Sequence, residues 1–563
     1  MGVYKLNVFL RTIKGPGAVT RLKYLPKIDH YFIDVNGILH PVAQQVFAYH
    51  QGTFDDAKEE RDYYRRVALV DGKDWKEDLM PIYYAELTRE FESYLQTIQP
   101  EQTFALCVDG IAPGAKIFQQ RSRRLGGSSN VSAEAEATLP KAQTGFTSNM
   151  ITPGTEFMEL VHQHILIWLV EMKKKYPRIK FIYSSYLIPG EGEHKIFQLI
   201  RDLQIGNKKD IFAIEGIDGD LISLTILRQE HFYLIRSSRG NFIDMNGFKQ
   251  YVWSNMMAGK KFNRELVIQD FVLLLYMIGN DFLPRFLFVE EVGPAILEMM
   301  NCYRTSTKTP LTTTGSTIDW NSMAEYMSCL TQLEKSLLIK KSNTVYFYEH
   351  PILHSSEAIQ LSRQNEDKYF EYVREEYYKS IILPKDPIGK ALLRDLDMNS
   401  EIVRICSDIC QGMQWVLRYY TGQPFDLAYS YGRESAPFIA DIWRYIMIYL
   451  GRSDFAGGQG SNSQKEFNII SQLMSVIPLK NNDLVPPPFN QEVLPGGPFN
   501  YLFPIGFPVK REGILVEKDV FMQKAVLPLV NGPEMIDFVN SRVDLWPGDV
   551  AKLIEKEHQV VIL

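Results

Sequence analysis

Cysteine is scarce in this chain, with five residues among 563 and no CxxC pair. Cys406 and Cys410 stand one helical turn apart, but no second pair has the spacing that a zinc finger requires. A few unpaired thiols are typical of a protein from a reducing compartment. The sequence therefore predicts neither a disulfide framework nor a zinc site. It favours a cytoplasmic location and leaves the nucleus open.

An excess of positive charge and a long apolar run are also lacking. The 61 Lys and Arg residues are outnumbered by 67 Asp and Glu residues, which gives a formal net charge of −6. This balance excludes a protein that coats nucleic acid by bulk positive charge, although it allows a local basic pocket. The most apolar stretch, around residues 271–279, is about half as long as a membrane span. The first residues do not resemble a signal peptide, so we expect a soluble protein with no membrane partner.

Short apolar runs alternate with helical patterns over about the first 290 residues. Four of these runs are strand candidates: Tyr31–Ile33, Phe104–Val108, Lys180–Tyr183 and Ile211–Ile214. The clearest helical patterns cover Phe157–Tyr176 and Arg264–Ile278. This alternation predicts an α/β fold with a mainly parallel central sheet flanked by helices. The later part is rich in helical patterns and aromatic residues, and we expect it to pack on the sheet as a second, helical region.

Acidic residues gather where the predicted strands end and in short glycine-containing motifs. Seven carboxylates share this placement: Asp34, Asp109, Glu191, Glu193, Asp218, Asp220 and Asp281. One Asp after a strand is usually a turn or capping residue, but five motifs of one kind favour a shared purpose. Because ligands of parallel α/β sheets bind beyond the carboxyl ends of the strands, we expect the seven to converge there.

So many acids in a partly buried site would repel one another unless cations neutralised them. Mg²⁺ and Mn²⁺ are hard cations that prefer oxygen ligands. Two such ions roughly 4 Å apart can activate a water molecule and stabilise the leaving oxygen of a phosphoryl displacement. The sequence therefore predicts a site for Mg²⁺ or Mn²⁺, with two ions.

A basic segment begins directly after the second strand. Residues 112–124 read APGAKIFQQRSRR, in which Pro113 suits the first turn of a helix. On that helix four polar side chains share one face: Lys116, Gln120, Arg123 and Arg124. Beside a metal site, such a face can receive a phosphate. The alternative is an ordinary solvated basic face.

These motifs, in this order, resemble those of the XRN family of 5′→3′ exoribonucleases. In the first region the resemblance rests on residues 32–40 (FIDVNGILH), 108–113 (VDGIAP), 119–124 (QQRSRR), 151–157 (ITPGTEF), 189–195 (PGEGEHK), 218–222 (DGDLI) and 279–284 (GNDFLP). The family's second conserved region is resembled by residues 414–420 (QWVLRYY), 436–442 (APFIADI) and 472–478 (QLMSVIP).

The resemblance implies a 5′-nuclease, PIN-like core that uses divalent metal to degrade single-stranded RNA from a 5′-monophosphate end. Degradation would be processive and would release nucleoside monophosphates. The seven carboxylates correspond to the family's metal-binding and catalytic residues. The four residues of the basic face correspond to its 5′-phosphate pocket, and His40 to the histidine that stacks on a terminal base. Residues 1–300 would form the nuclease region, residues 301–365 a connection, and residues 366–563 a second region that completes the pocket.

The chain also departs from the family pattern. Gly219 replaces the usual Ala between two acids, which should loosen the turn and keep both ligands. The segment 126–145 is small, polar and glycine-rich, reads as a loop, and is shorter than the family's shielding helix. The loop at 422–431 lacks the family's tryptophan, and Phe425, Tyr429 and Tyr431 are the candidates to replace it opposite His40. Without a long C-terminal extension, the chain reads as a minimal catalytic core.

The sequence therefore leaves three alternative functions. The first is a metal-dependent 5′→3′ exoribonuclease whose partner is RNA with a 5′-monophosphate. The second is a 5′ DNA exonuclease or flap endonuclease. The basic pocket opposes it because a flap enzyme must let a free 5′ end pass, whereas the shortened segment 126–145 favours it slightly. The third is a non-catalytic RNA-binding scaffold, which the full set of acids opposes. The sequence predicts no particular protein partner.

Overall fold

The computed structural model describes the whole chain apart from residues 1–2, 4–5, 16, 50–56, 127–141, 208, 237–239, 258, 290, 343–351, 383–396, 434, 451–465, 505–508, 512–522, 526 and 543–558. The loop predicted at 126–145 lies almost entirely outside the described residues.

The described residues form one large, mostly parallel sheet. Its strands are β1 (Val19–Arg21), β2 (His30–Asp34), β3 (Thr103–Cys107), β4 (Lys180–Ser184), β5 (Ile211–Glu215), β6 (His231–Arg236) and β7 (Asn241–Asp244). A separate antiparallel pair follows, made of β8 (Val509–Arg511) and β9 (Gln523–Ala525), and then β10 (Val561–Ile562) completes the large sheet. The order in the large sheet is β1-β7-β6-β5-β2-β3-β4-β10. Strands β2 to β6 run parallel to one another, whereas β7 is antiparallel to β6 and to β1, and β10 is antiparallel to β4.

Helices cover both faces of this sheet. The sheet region contains α1 (Leu6–Thr12), α2 (Asn36–Phe47), α3 (Ala57–Val70), α4 (Met80–Ile98), α5 (Gly114–Gly126), α6 (Glu156–Lys175), α7 (Gly192–Asp202), α8 (Asp220–Ile226), α9 (Met245–Met257) and α10 (Arg264–Met277). Every residue of β2 and β3 is buried, as expected for parallel strands covered on both faces. Alternate residues serve different cores: Phe32 packs in one and Tyr31 in the other. The predicted strands and the predicted helices at 157–176 and 264–278 are confirmed to within about two residues.

The second half of the chain is helical. It contains α11 (Val292–Ser306), α12 (Trp320–Ser342), α13 (Ser356–Gln364), α14 (Glu366–Ile382), α15 (Met398–Thr421), α16 (Ile439–Tyr445), α17 (Ile469–Val476) and α18 (Gly532–Asn540). Its core is continuous with one core of the sheet region. The rings of Tyr276 on α10 and Tyr420 on α15 lie 4.4 Å apart between centroids. This packing brings α15 to the edge of the sheet where the acids are expected.

The described residues between α17 and β8 form short turns. In the described part of residues 479–502, 3₁₀ turns at Leu479–Leu484, Phe489–Val493 and Asn500–Leu502 replace longer helices. No helix in the described part of the chain combines the length and the apolar character that a membrane crossing requires.

Candidate metal and phosphate site

Four of the seven predicted acids meet at the carboxyl ends of β2 and β3. Asp34 is the last residue of β2, Asp109 follows β3 by two residues, and Glu191 and Glu193 flank the first residue of α7. Carboxylate oxygens of Asp34, Asp109 and Glu193 all lie within 4.8 Å of one another, close enough to share one metal ion. Asn36 fixes the turn after β3, because its Oδ1 accepts the backbone N–H of Asp109 at 3.0 Å.

The other three acids adjoin this group. Asp220 begins α8, and its backbone N–H donates to Asp218 Oδ1 at 3.1 Å. Asp281 follows α10 and is joined to Glu191 through a shared ammonium group, described below. The charge of Asp218 raises the pKa values of Asp34, Glu193 and Asp220, so Asp218 lies within electrostatic range of all three. The structure thus brings the seven residues together, and we call them the acidic rim.

A glycine makes the closest approach in the acidic rim possible. The backbone N–H of Gly192 donates to Asp109 Oδ1 at 2.6 Å. A Cβ atom at this position would lie 2.6 Å from Asp34 Oδ1 and 3.1 Å from the carbonyl oxygen of Cys107. Any side chain would therefore displace the Asp34 carboxylate or push α7, with Glu191 and Glu193, away from β2 and β3.

The electrostatics of the acidic rim fit a divalent cation. Burial, and then the neighbouring Asp109 and Asp218, raise the pKa of Asp34 well above its usual range. Burial, with Asp218 and Asp281, raises the pKa of Asp220 to about 8. Asp34 Oδ1 and Asp220 Oδ1 are buried and have no hydrogen-bond partner among the described residues. Buried carboxylate oxygens without donors are suited to a hard cation, and Mg²⁺ or Mn²⁺ would remove the repulsion that these pKa values record.

Lys116 joins the acidic rim to the basic helix. Its Nζ lies 2.6 Å from Glu191 Oε2 and 2.8 Å from Asp281 Oδ2, and the side chain is almost fully buried. Although burial alone would lower it, the pKa of Lys116 is raised well above its usual range by Asp281 and Glu191. The sequence placed Lys116 on the phosphate-binding face, and in the structure it contacts two acids.

The other members of that face lie further along α5, which confirms the predicted helix. Arg123 is exposed, whereas Gln120 and Arg124 are half-buried. Nη1 of Arg124 donates to Thr152 Oγ1 at 2.7 Å, so the motif at 151–157 holds this guanidinium in place. Burial, with the charge of Arg123, lowers the pKa of Arg124 to about 9, and the group stays charged at neutral pH. Arg123 and Arg124 therefore lie on the same helix as Lys116, whose ammonium contacts the acidic rim.

His40 on α2 lies near this pair of arginines. Burial, followed by the charges of Arg123 and Arg124, lowers its pKa to about 4, so the imidazole is neutral at physiological pH. Its Nδ1 is 3.5 Å from the hydroxyl of Tyr49.

The three aromatic residues considered as stacking partners for His40 pack elsewhere. Phe425 and Tyr429 lie against Trp415, with ring centroids 5.5 and 5.2 Å away, and the hydroxyl of Tyr431 donates to the Ser435 carbonyl. Within the described ranges, none of the three rings stacks on His40.

Two residues without an assigned role complete the site. The hydroxyl of Tyr419 on α15 donates a hydrogen bond to Glu191 Oε1. Nζ of Lys195 donates to the carbonyls of Val108, Ser185 and Ile188 at 2.6, 2.6 and 2.9 Å, which ties α7 to the ends of β3 and β4. No local signal in the sequence pairs Tyr419 with a residue 228 positions away.

Family comparisons cover most of the chain. Residues 1–238 match the family model described as the XRN 5′-3′ exonuclease N-terminus. Residues 261–381 and 390–540 match the model described as the Xrn1 helical domain. The boundary between the two matches falls just before α10.

Individual relatives match over about half of the chain. The 5′-3′ exoribonuclease 1 of Saccharomyces cerevisiae is 30% identical over 298 residues, 46% of this chain and 18% of the yeast protein. The human protein of that name is 28% identical over 302 residues, 47% of this chain and 16% of the human protein. The 5′-3′ exoribonuclease 2 of Yarrowia lipolytica is 28% identical over 317 residues, 46% of this chain and 29% of that protein. These matches span less than a third of each relative's length.

Proposed function

The chain belongs to the XRN family, and from that premise we propose that it is a metal-dependent 5′→3′ exoribonuclease. Its substrate would be single-stranded RNA with a 5′-monophosphate, degraded processively to nucleoside monophosphates. The observation that carries the proposal is the position of Lys116, whose ammonium contacts Glu191 and Asp281 while its helix carries Arg123 and Arg124. One rigid helix thus spans the distance between a phosphate-binding pair and the acidic rim.

This arrangement sets the register of cutting. Arg123 and Arg124 supply charged donors for the terminal phosphate, and Arg side chains can offer paired hydrogen bonds to phosphate oxygens. A 5′-phosphate held there leaves the next phosphodiester at the acidic rim. The neutral ring of His40 offers a flat face to the terminal base, which is a sequence-tolerant contact.

The acidic rim would hold the divalent cations, with Asp34, Asp109 and Glu193 as the group already close enough to share one ion. The bound metal would supply an activated water and charge stabilisation for the leaving 3′-oxygen. The protein itself holds the acids close together and shields them from solvent, since Asp34, Glu191, Glu193 and Asp220 are buried. The pocket then rebinds the new 5′-phosphate, which supports processive degradation.

The proposal is tested with one RNA that carries a 5′-monophosphate, a 5′-triphosphate or a 5′-hydroxyl, each with and without EDTA. We expect rapid release of mononucleotides from the monophosphate form alone, and none with EDTA. Equal degradation of the three forms would remove the phosphate-pocket assignment, and activity in EDTA would remove the metal assignment.

The same strand made as DNA separates the alternatives. A 5′ DNA exonuclease or flap endonuclease would cut DNA at least as fast as RNA and would release oligonucleotides from a flap. A scaffold would bind the monophosphorylated RNA without consuming it in Mn²⁺. We expect mononucleotides from RNA and little cutting of DNA.

A further inference from the structure

Tyr419 connects the helical region to the acidic rim through a hydrogen bond to Glu191. It lies on α15, it is buried, and its hydroxyl donates to Glu191 Oε1. The other carboxylate oxygen of Glu191, Oε2, accepts from Lys116 Nζ at 2.6 Å. Glu191 is therefore held at both oxygens, by a cation from the nuclease region and by a hydroxyl from the helical region.

Aromatic neighbours fix the ring of Tyr419 on several sides. His194 lies 3.9 Å away between centroids, at an interplanar angle of 33°. Trp415, one helical turn earlier, stacks at 5.2 Å and 14°, and Phe282 meets the ring edge-on at 5.2 Å. A ring enclosed in this way has one available position, so its hydroxyl is a fixed donor.

The Tyr419 hydroxyl limits the orientations of the Glu191 carboxylate, which would otherwise be set by Lys116 alone. Lys116 also binds Asp281 Oδ2 at 2.8 Å, so this cation alone would draw Glu191 towards Asp281. The tyrosine hydroxyl holds the opposite oxygen. Groups that orient a metal-binding carboxylate in this manner change metal affinity although they never touch the metal.

We propose that Tyr419 is a positioning residue, whose hydroxyl orients Glu191 and so sets the affinity of the acidic rim for a divalent cation. This role rests on the proposed function, because it requires a metal at the acidic rim. It gives the helical region a direct part in metal binding, in addition to its packing against the sheet.

The experiment compares Tyr419→Phe with Tyr420→Phe in the full chain. Tyr420 is the next residue, is equally buried, and has a hydroxyl without a hydrogen-bond partner among the described residues. Each change removes one buried hydroxyl and keeps the ring. Isothermal titration with Mn²⁺, without RNA, should show about 10-fold weaker binding for Tyr419→Phe and a change under about 2-fold for Tyr420→Phe.

Two further measurements separate positioning from folding. Thermal unfolding in EDTA should give similar midpoints for the two variants. Turnover of monophosphorylated RNA by Tyr419→Phe should require more Mn²⁺ and should approach the wild-type rate when Mn²⁺ is saturating.

Either of two results would overturn the proposal: Mn²⁺ affinities that match in the two variants, or a Tyr419→Phe midpoint in EDTA far below that of Tyr420→Phe. Failure of the wild-type protein to bind Mn²⁺ would instead remove the proposed function, and this role with it.

Discussion

The two ends of strand β2 carry buried titratable residues in opposite surroundings. At its start, both ring nitrogens of His30 have partners, Thr103 Oγ1 at 3.0 Å and Asp210 Oδ2 at 3.1 Å. At its end, Asp34 Oδ1 has no partner among the described residues and faces other acids. Although burial would raise it, the pKa of Asp210 is lowered by the hydrogen bond to His30, whereas burial and like charges raise the pKa of Asp34.

The difference shows what each end of the sheet contributes. Paired polar groups at the amino end stabilise the fold at little electrostatic cost. Crowded acids at the carboxyl end destabilise the metal-free protein, and such a cost is common where a site is organised for function. The same strand therefore separates a structural end from a functional end. Substitutions at the amino end should lower stability and leave turnover intact, whereas those at the carboxyl end should lower turnover and leave stability intact.

The largest effect is expected from Asp218→Ala combined with Asp220→Ala. We expect turnover to fall by roughly 10³-fold or more, because charge stabilisation at the reacting phosphate is lost. Binding of monophosphorylated RNA should survive, and the unfolding temperature in EDTA should stay equal or rise as repulsion is relieved. Single-turnover kinetics, RNA binding and calorimetry measure the three quantities.

Asp210→Asn is the matched change at the other end of the sheet. It should lower the unfolding free energy by about 1–3 kcal/mol, because a buried partner of His30 is weakened, and it should leave turnover per folded molecule intact. A fully active Asp218/Asp220 double variant, or an inactive but stable Asp210→Asn protein, would contradict the comparison.

Gly192→Ala should have the next largest effect. The new Cβ would meet Asp34 Oδ1 at 2.6 Å, so either the Asp34 carboxylate or α7, with Glu191 and Glu193, must shift. Displacements of about 1 Å commonly cost about 100-fold in rate. Gly293→Ala is the control, since its Cβ would meet only Phe9 Cδ2, at 3.8 Å. Equal rates for the two variants would show that the close approach at α7 is not needed.

Removing the two arginines should change substrate choice more than rate. Arg123→Ala with Arg124→Ala should raise KM for monophosphorylated RNA by roughly 10-fold or more, because charge-assisted hydrogen bonds to the phosphate are lost. KM for the 5′-hydroxyl form should change little. Lys174→Ala with Lys175→Ala removes the same charge from the exposed end of α6 and should leave the preference unchanged. A retained preference in the arginine variant would place the phosphate elsewhere.

The smallest effect is expected from an acid buried away from the rim. Burial, assisted by Asp441, raises the pKa of Glu334 from 4.5 to about 8, despite hydrogen bonds from the backbone N–H groups of Ile439 and Ala440. The folded protein therefore holds this proton more tightly than the unfolded chain. This contribution to stability is complete below pH 4.5 and is lost as the pH rises through about 8.

Glu334→Gln should remove part of this pH dependence. Between pH 5 and pH 8 we expect the wild-type unfolding temperature to decline by about 2 °C more than that of the variant. The exposed Glu298→Gln is the control and should follow the wild type. Unfolding temperatures that change equally with pH in the wild type and in Glu334→Gln would contradict the assignment.

Much of the fold and of the acidic rim could be predicted from the sequence. Buried parallel strands are short apolar runs, so β2, β3, β4 and β5 were placed within about a residue. Asp34 and Asp109 followed from one rule, because acids after parallel strands share an edge of the sheet. Glu191, Glu193 and Asp281 do not directly follow a strand, and their short glycine-containing motifs indicated them.

Contacts between distant segments could not be predicted in this way. The helical period placed Lys116 on a face with Arg123, but it could not show that Glu191 and Asp281 lie within 3 Å of its ammonium. Tyr419 stands in a motif that reads only as an aromatic helix, and its contact with Glu191 depends on how α15 packs. Phe425 and Tyr429 were considered as base-stacking residues because of their type, and Trp415 accounts for their positions.

The central claim is that crowded acids at one end of the sheet hold a divalent cation beside the basic helix. Anomalous diffraction from crystals soaked in Mn²⁺ tests it most directly. The account predicts a peak bounded by Asp34, Asp109 and Glu193, with oxygen ligands at about 2–2.5 Å. A well-diffracting soaked crystal with no peak at the acidic rim, or with Mn²⁺ bound only elsewhere, would contradict it.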